Sequence, residues 1–319
     1  MRIFFILLFV LFGTATHTAN AQISNQGIAP GQLLEVAPKF PRPGESVTVT
    51  LRDYRSAAFG SNVTWLYDGQ VIERTENSRS VTVTAGTLNT ETKIEAVLNT
   101  PSGKREVLST TLIPVYLDIV IEAQTRVPEF YLGRALPGVG SIVNATALIN
   151  DRGSQTDLVY TWKINRQVIE GGPIRGRNQV SFVVPRGDSS ILSVEVAEPN
   201  GTVLSQKLIP LPSVLPFVNF HEVSSLFGVR PKPITDELIM VGNTATIQAE
   251  PYHLDIRVYN NPDIAQWEIN NSLSQNQGDN PYQITFKPTG QADSATLGFH
   301  VRDTTQVLQG ARHNIQVRF

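Results

Sequence analysis

The fold of this chain is decided by the stretch NVTWLYDG at residues 62–69. Its apolar residues Val63, Trp65 and Tyr67 recur at every second position, which places them on one face of a half-buried strand. The Asp68-Gly69 pair that follows tolerates positive φ, so it favours a tight turn into a short neighbouring strand at residues 70–73. The stretch therefore predicts a hairpin whose first strand carries a buried tryptophan.

The same pattern occurs twice more, around the two other tryptophans of the sequence. Trp162 and Trp267 follow Trp65 at intervals of 97 and 105 residues, which suits one sandwich domain per interval. Their strands carry Tyr160, Trp162 and Ile164, and Ala265, Trp267 and Ile269. Each strand meets a turn pair at the same offset, Asn165-Arg166 or Asn270-Asn271. The three tryptophans are therefore predicted to occupy equivalent core positions.

Each tryptophan strand is flanked in the sequence by two further alternating strands. The upstream strands carry Val47, Val49 and Leu51; Val143, Ala145 and Ala147; and Ala245, Ile247 and Ala249. The downstream strands carry Ile94, Ala96 and Leu98; Leu192, Val194 and Val196; and Leu297, Phe299 and Val301. In antibody domains such flanking strands bear a cysteine pair, but this chain has 0 Cys. We expect an all-β chain of three tandem immunoglobulin-like β-sandwiches, each held by burial alone.

The repeats resemble the immunoglobulin-like and polycystic-kidney-disease-type (PKD) modules of bacterial surface and secreted proteins. Residues 65–69 read Trp-Leu-Tyr-Asp-Gly where the stricter PKD pattern reads Trp-Asp-Phe-Gly-Asp-Gly. On residues 131–137 and 249–252 the chain is also similar to uncharacterised three-module exported proteins of small-genome bacteria. This resemblance implies the sandwich fold and an extracellular setting, and it transfers no active site.

The first 21 residues are typical of a secretory signal peptide. Arg2 precedes an unbroken apolar run at residues 3–12, and Ala19-Asn20-Ala21 suits signal-peptidase cleavage. Ten apolar residues span about 15 Å as a helix, half of a bilayer core, which disfavours a retained anchor. We expect a secreted, extracellular or envelope-associated protein. Without cysteine in an exported chain, a bacterial source is favoured.

Proline marks the predicted boundaries between modules. Pro114 separates the first and second repeats, and Pro210, Pro212 and Pro216 separate the second and third. Because proline fixes φ, these short linkers predict restricted motion between modules. The predicted organisation is a signal peptide at 1–21, an N-terminal linker at 22–32, and modules at 33–114, 115–212 and 213–319.

Charge and composition restrict the partners. The chain carries 26 basic and 28 acidic residues, a formal net charge of −2, which attracts neither nucleic acid nor an anionic membrane. No histidine stands in a recognisable catalytic pattern, so we expect no enzyme and no cofactor. Two loops, 151–157 and 277–280, loosely resemble calcium loops, but they carry few carboxylates and polar turns explain them better.

Two connections are candidate ligand-binding sites. The first, at residues 251–263, carries Tyr252, His253, Asp255, Arg257 and Tyr259. Aromatic rings with polar tips are common in sugar and protein recognition. The alternating Leu254, Ile256 and Val258 leave open that this connection is an added edge strand. The second candidate, Phe130 and Tyr131, could instead mark a strand-switching bend.

The expected function is therefore that of a non-catalytic surface protein acting as a spacer, an adhesin or a subunit of a surface assembly. The alternative is a set of carbohydrate-binding or accessory modules that serve a separate enzyme or secretion apparatus. In either case the partner is expected to be a protein or a glycan at the cell surface.

Overall fold

A computed structural model describes residues 32–55, 60–150, 154–187, 189–274, 278–288, 293–303 and 309–319. These residues form three β-sandwiches in succession, and the predicted all-β, tandem immunoglobulin-like fold is confirmed. The predicted signal peptide, most of the N-terminal linker and parts of both loops considered for calcium lie outside the described residues.

The first sandwich packs a three-stranded sheet, in the order β1-β2-β5, against a four-stranded sheet, in the order β4-β3-β6-β7. Its strands are β1 (Gln32–Ala37), β2 (Ser46–Asp53), β3 (Asn62–Tyr67), β4 (Gln70–Val71), β5 (Ser80–Thr84), β6 (Thr92–Asn99) and β7 (Arg105–Leu112). The core between the sheets centres on Trp65 and includes the alternating apolar residues of β2 and β6.

The second sandwich repeats this arrangement, with sheet orders β14-β10-β8 and β12-β11-β15-β16. Its strands are β8 (Tyr116–Ala123), β9 (Thr125–Arg126), β10 (Ile142–Asn150), β11 (Val159–Ile164), β12 (Gln167–Val168), β13 (Ile174–Arg175), β14 (Gln179–Val183), β15 (Ser190–Ala197) and β16 (Val203–Leu211). Its core surrounds Trp162. Pro210 lies inside β16 and not in a linker; β16 is an edge strand, where a missing N–H is tolerated.

The third sandwich has sheet orders β18-β17-β20-β24 and β19-β26-β25-β22-β23. Its strands are β17 (Phe217–Ser224), β18 (Gly228–Ile234), β19 (Glu237–Ile239), β20 (Ala245–Tyr252), β21 (Leu254–Asp255), β22 (Ala265–Ile269), β23 (Ser272–Ser274), β24 (Gln283–Phe286), β25 (Ser294–Arg302) and β26 (Gly310–Arg318). A four-residue helix, α1 (Ile256–Tyr259), and a 3-10 turn, Pro262–Ile264, complete it. Its core surrounds Trp267.

All three tryptophans are buried, with exposures of 0%, 2% and 1% for Trp65, Trp162 and Trp267. Each indole N–H donates to a backbone carbonyl just before a strand of the opposite sheet. The acceptors are Ser78 at 2.9 Å, Arg177 at 3.1 Å and Pro281 at 2.9 Å. Because a buried indole N–H needs an acceptor, this bond fixes the ring in the core and joins the two sheets at one point.

The turn after each tryptophan strand is also repeated. Asp68, Asn165 and Asn270 adopt φ values of 47°, 49° and 48°, as their residue types predict. Each side-chain oxygen then accepts a bond from the backbone N–H of the neighbouring long strand, at Lys93, Ile191 or Thr296. The hairpin is thereby fastened to β6, β15 or β25.

Candidate functional site

The connection at residues 251–263 forms a junction between the second and third sandwiches. β21 of the third sandwich pairs with β9 of the second as an antiparallel ladder, with Leu254 opposite Arg126 and Asp255 opposite Thr125. The backbone N–H of His253 donates to the carbonyl of Arg126 at 2.7 Å, and that of Ile256 donates to Gln124 at 3.0 Å. The possible edge strand over Leu254, Ile256 and Val258 is therefore two residues long and turns into α1.

Asp255 is the centre of the junction, and it is fully buried. One carboxylate oxygen accepts from the backbone N–H of Ile142 in the second sandwich at 3.0 Å. The other accepts from the backbone and the guanidinium of Arg257, both at 2.8 Å. The Arg257 guanidinium also donates to the carbonyl of Gly140 at 2.9 Å. A carboxylate at this depth is stable because it is fully hydrogen-bonded.

Gln309 and His253 complete the polar contacts of the junction. Gln309 is fully buried; its amide accepts from the backbone of Asp255 at 3.2 Å and donates to the carbonyl of Val139. His253 is buried, and its Nδ1 accepts from the backbone N–H of Leu136 at 3.1 Å. Burial lowers the pKa of His253 below its usual value, which suits a neutral ring that accepts at Nδ1.

An aromatic cluster packs beside these polar contacts. Tyr252 stacks on Phe217, with ring centroids 4.7 Å apart, and meets the edge of Tyr131 at 5.4 Å. Tyr131 also contacts the His253 ring at 5.9 Å. Tyr131 belongs to the second sandwich and the other rings to the third, so these side chains join the modules.

A cleft opens on one side of the junction. Its walls come from both sandwiches and its volume is ≈ 500 Å³. The residues that line it are Arg126, Glu129, Phe130, Val229, Gln248 and Glu250. The ring of Phe130 packs on the buried His221, with centroids 4.9 Å apart. Of the six residues that the sequence predicted to bind a ligand, Phe130 is the one that lines this cleft.

Glu250 gives the cleft its electrostatic character. Its residue exposure is 3%, and Gln248 donates to its Oε1 at 2.6 Å. Its Oε2 has no hydrogen-bond partner within the described part of the chain, and Arg126 Nη2 lies 3.9 Å away. Burial raises the pKa of Glu250 above its usual value, and the charge of Arg126 opposes this effect without reversing it.

The six predicted ligand-binding residues are thus close together in space but face different surroundings. Tyr252 and His253 are buried in the junction, and Tyr131 covers them. Tyr259 stacks on Tyr282 at 4.5 Å and carries the guanidinium of Arg126 over its ring at 5.2 Å. Their ligand-binding role stays a prediction, whereas their packing across the junction is observed.

Sequence reasoning missed Gln309, Arg126 and Glu250, and it placed Asp255 on the candidate connection without its contact to the second sandwich. An Asp at the start of a short helix favours an N-cap, and Asp255 does accept from the N–H of Arg257, but that pattern says nothing of a second module. Glu250 lies among apolar neighbours on β20, which could have indicated a buried carboxyl group. Within the described ranges, no cluster of three or more His, Cys, Asp or Glu is suited to a metal ion, and no helix is long and apolar enough to cross a membrane.

No protein-family model matches this chain, and no curated protein matches it. Among solved structures it is similar to the fibronectin(III)-like modules of Clostridium thermocellum CbhA, with 11% identity over 57% of this chain and 94% of that one, at a TM-score of 0.29. It is also similar to immunoglobulin domains 1–4 of Sidekick-1, with 12% identity over 93% and 75% of the two chains, at a TM-score of 0.21. A third match is a 1.5-MDa bacterial ice-binding adhesin, with 10% identity over 90% and 96%, at a TM-score of 0.25. The fold assignment stands on the sheets and cores described above.

Proposed function

We propose that this chain is a non-catalytic extracellular or cell-surface protein, exported by a bacterium, that serves as a spacer, an adhesin or a subunit of a surface assembly. In this proposal the second and third sandwiches act as one stiff unit that holds exposed loops at a fixed distance and angle. The partner is a protein or a glycan at the cell surface.

The buried junction around Asp255 is the observation that supports this proposal. Modules in one chain ordinarily move relative to each other unless their interface is extensive and well packed. Here a strand pair, a buried carboxylate and a cluster of rings all join the two sandwiches. A protein that presents a binding surface at a set distance benefits from this stiffness, because less freedom is lost on binding.

The use of the buried polar side chains supports a non-catalytic role. Both carboxylate oxygens of Asp255 and both polar groups of the Gln309 side chain are bonded to backbone groups. A general base or nucleophile needs a lone pair directed at its substrate. The side-chain oxygens of Asp255 and Gln309 instead accept hydrogen bonds from backbone N–H groups of the fold.

Protease treatment of intact cells tests the surface role. An epitope-tagged chain should be released or degraded by an added protease while a cytoplasmic marker stays intact. Crosslinking on the same cells should then recover a defined envelope protein or glycan. Protection of the tag until the cells are lysed would contradict the proposal, as would turnover by the purified protein in a broad hydrolase screen.

A further inference from the structure

The cleft between the second and third sandwiches has the dimensions and position of a ligand site. Its volume, ≈ 500 Å³, lies within the range of small-molecule pockets, which often form where two domains meet. Arg126, Glu129 and Phe130 approach from the second sandwich, and Val229, Gln248 and Glu250 from the third. The strand pair and the buried Asp255 of the junction beside it join these two walls.

Glu250 supplies a hydrogen-bond acceptor that the described chain leaves unused. Its side chain is 5% exposed, and Oε2 has no hydrogen-bond partner in the part of the protein that is described. An unsatisfied polar atom at this depth is unfavourable, so buried groups of this kind usually meet a protein, water or ligand partner. Because Glu250 lines the cleft, a small rotation of its side chain would bring this oxygen to a donor bound there.

Arg126 determines which donor fits. Its Nη2 stands 3.9 Å from Glu250 Oε2, beyond hydrogen-bond distance, while its guanidinium bonds the carbonyl of Val127 and lies over the ring of Tyr259. A hydroxyl group both donates and accepts, so one hydroxyl can bridge the carboxylate and the guanidinium. An anion would be repelled by Glu250 and Glu129, and Arg126 offsets part of the attraction that these two carboxylates would exert on a cation.

Phe130 adds an apolar wall. Its ring is half-buried and rests on His221, with Val229 also lining the cleft. A ligand that fills this space therefore needs hydroxyl groups on one side and an apolar C–H face on the other, which aromatic rings bind well. We propose that the cleft between the second and third sandwiches binds a neutral saccharide through Glu250, Arg126 and Phe130. This inference goes beyond the spacer role and does not depend on it.

Binding to an array of neutral oligosaccharides, followed by titration calorimetry with the strongest hit, tests this site in the full chain. Glu250→Leu removes the acceptor and keeps the side-chain size, so it should lower the affinity for the strongest hit at least about tenfold. Phe130→Leu removes the aromatic face and should lower this affinity by a similar factor. Glu250→Gln should lower the affinity less than Glu250→Leu does, because Gln retains an acceptor, although a neutral acceptor binds more weakly than the charged one.

Tyr54→Ala is the matched control, because Tyr54 is an exposed aromatic residue of the first sandwich, far from the cleft in the fold. It should leave the affinity unchanged. The proposal is overturned if no oligosaccharide binds, if the hit binds equally well to Glu250→Leu and Phe130→Leu, or if lysine-rich or acidic peptides bind at the cleft instead. Thermal melting of each variant shows whether the fold is retained. Failure here leaves the surface role untouched, because protease treatment of intact cells measures that role separately.

Discussion

Asp255 of the third sandwich accepts a hydrogen bond from the backbone N–H of Ile142 in the second, with 3.0 Å between Oδ2 and N. Ile142 is the first residue of β10, a strand that carries part of the second core. One carboxylate therefore connects the start of a core strand in one module to the helix α1 of the next.

Asp255→Ala should loosen the two modules from each other. The change leaves the N–H of Ile142 without its acceptor and removes the ion partner of Arg257, a loss of about 1–3 kcal/mol for a buried unsatisfied group. Spin labels at the exposed positions Leu208 and Leu273, introduced as cysteines, report the distance between the sandwiches. The parent should give a narrow distance distribution and the variant a broad one.

Asp157→Ala is the control for this change. Asp157 pairs with Arg175 on the surface of the second sandwich at 2.7 Å, and an exposed pair contributes little to stability. The distance distribution should remain narrow. An equally narrow distribution in Asp255→Ala would show that the carboxylate is not needed to hold the modules together.

Gly138→Ala should displace the chain between the second and third sandwiches. A Cβ at this position would lie 2.6 Å from the backbone carbonyl oxygen of Val214, so the backbone must move. Hydrogen exchange should accelerate at Val214, whose N–H donates to Pro137. Gly86→Ala is the comparison, because its Cβ would lie 3.1 Å from the hydroxyl of Thr92 in the first sandwich and meets no part of the junction. Equal exchange in the two variants would refute the prediction.

Trp162→Ala should destabilise the second sandwich by about 3–5 kcal/mol, because a large buried side chain is lost. Trp162→Phe keeps an aromatic ring but leaves the carbonyl of Arg177 without its donor, so it should cost about 1–3 kcal/mol. Denaturant titration followed by hydrogen exchange locates the loss: β11 and β15 should lose protection while β3 and β6 keep it. Unchanged protection in β11 would contradict the assigned core.

The periodicity around the tryptophans predicted the fold because the core depends on short-range alternation. Val47, Val49 and Leu51, for example, are buried as the period of two requires. The same alternation failed at Leu254, Ile256 and Val258, where the ladder to β9 ends after Asp255 and a helical turn follows. A contact between residues 113 positions apart, such as Asp255 and Ile142, leaves no periodic trace in the sequence.

The candidate site was predicted only by residue type. Phe130 was singled out as an aromatic residue on a connection, and it lines the cleft. Arg126 and Glu250 were not, because an Arg near a Pro-containing bend and a Glu on a strand are common in any sandwich. What makes them notable is their 3.9 Å separation across two modules, which depends on the junction and not on either local sequence.

His253→Asn should reduce the sensitivity of the third sandwich to acid. Burial lowers the pKa of His253, so below about pH 6.5 the unfolded chain takes up a proton that the folded chain resists, and stability falls as pH falls. Asn does not titrate, tolerates the φ of 58° at this position, and offers an oxygen to the N–H of Leu136.

Urea midpoints measured across the acid range test this change. Burial also lowers the pKa values of His221 and His300, so those residues should retain part of the dependence. His221→Asn alone, with His253 unchanged, provides the comparison. If His253→Asn and the parent lose stability in parallel between about pH 7 and 5, then His253 is not a source of the acid sensitivity.

Glu250→Gln should stabilise the third sandwich at neutral and alkaline pH. Burial raises the pKa of Glu250, so the folded chain holds its proton after the unfolded chain has released it, and stability is lost as pH rises above about 4.5. Gln carries no charge to bury. The urea midpoint of the variant should exceed that of the parent at about pH 8 and match it at about pH 4; a lower midpoint at both would refute this.

The bond from each buried indole to a carbonyl of the opposite sheet has a practical consequence. In many exported β-sandwich domains a disulfide bond joins the two sheets. Here the sheets are joined by the indole hydrogen bonds of Trp65, Trp162 and Trp267, which a reductant does not break. Refolding should therefore need neither an oxidant nor a disulfide isomerase. Dithiothreitol should leave the unfolding curve of the chain where it was.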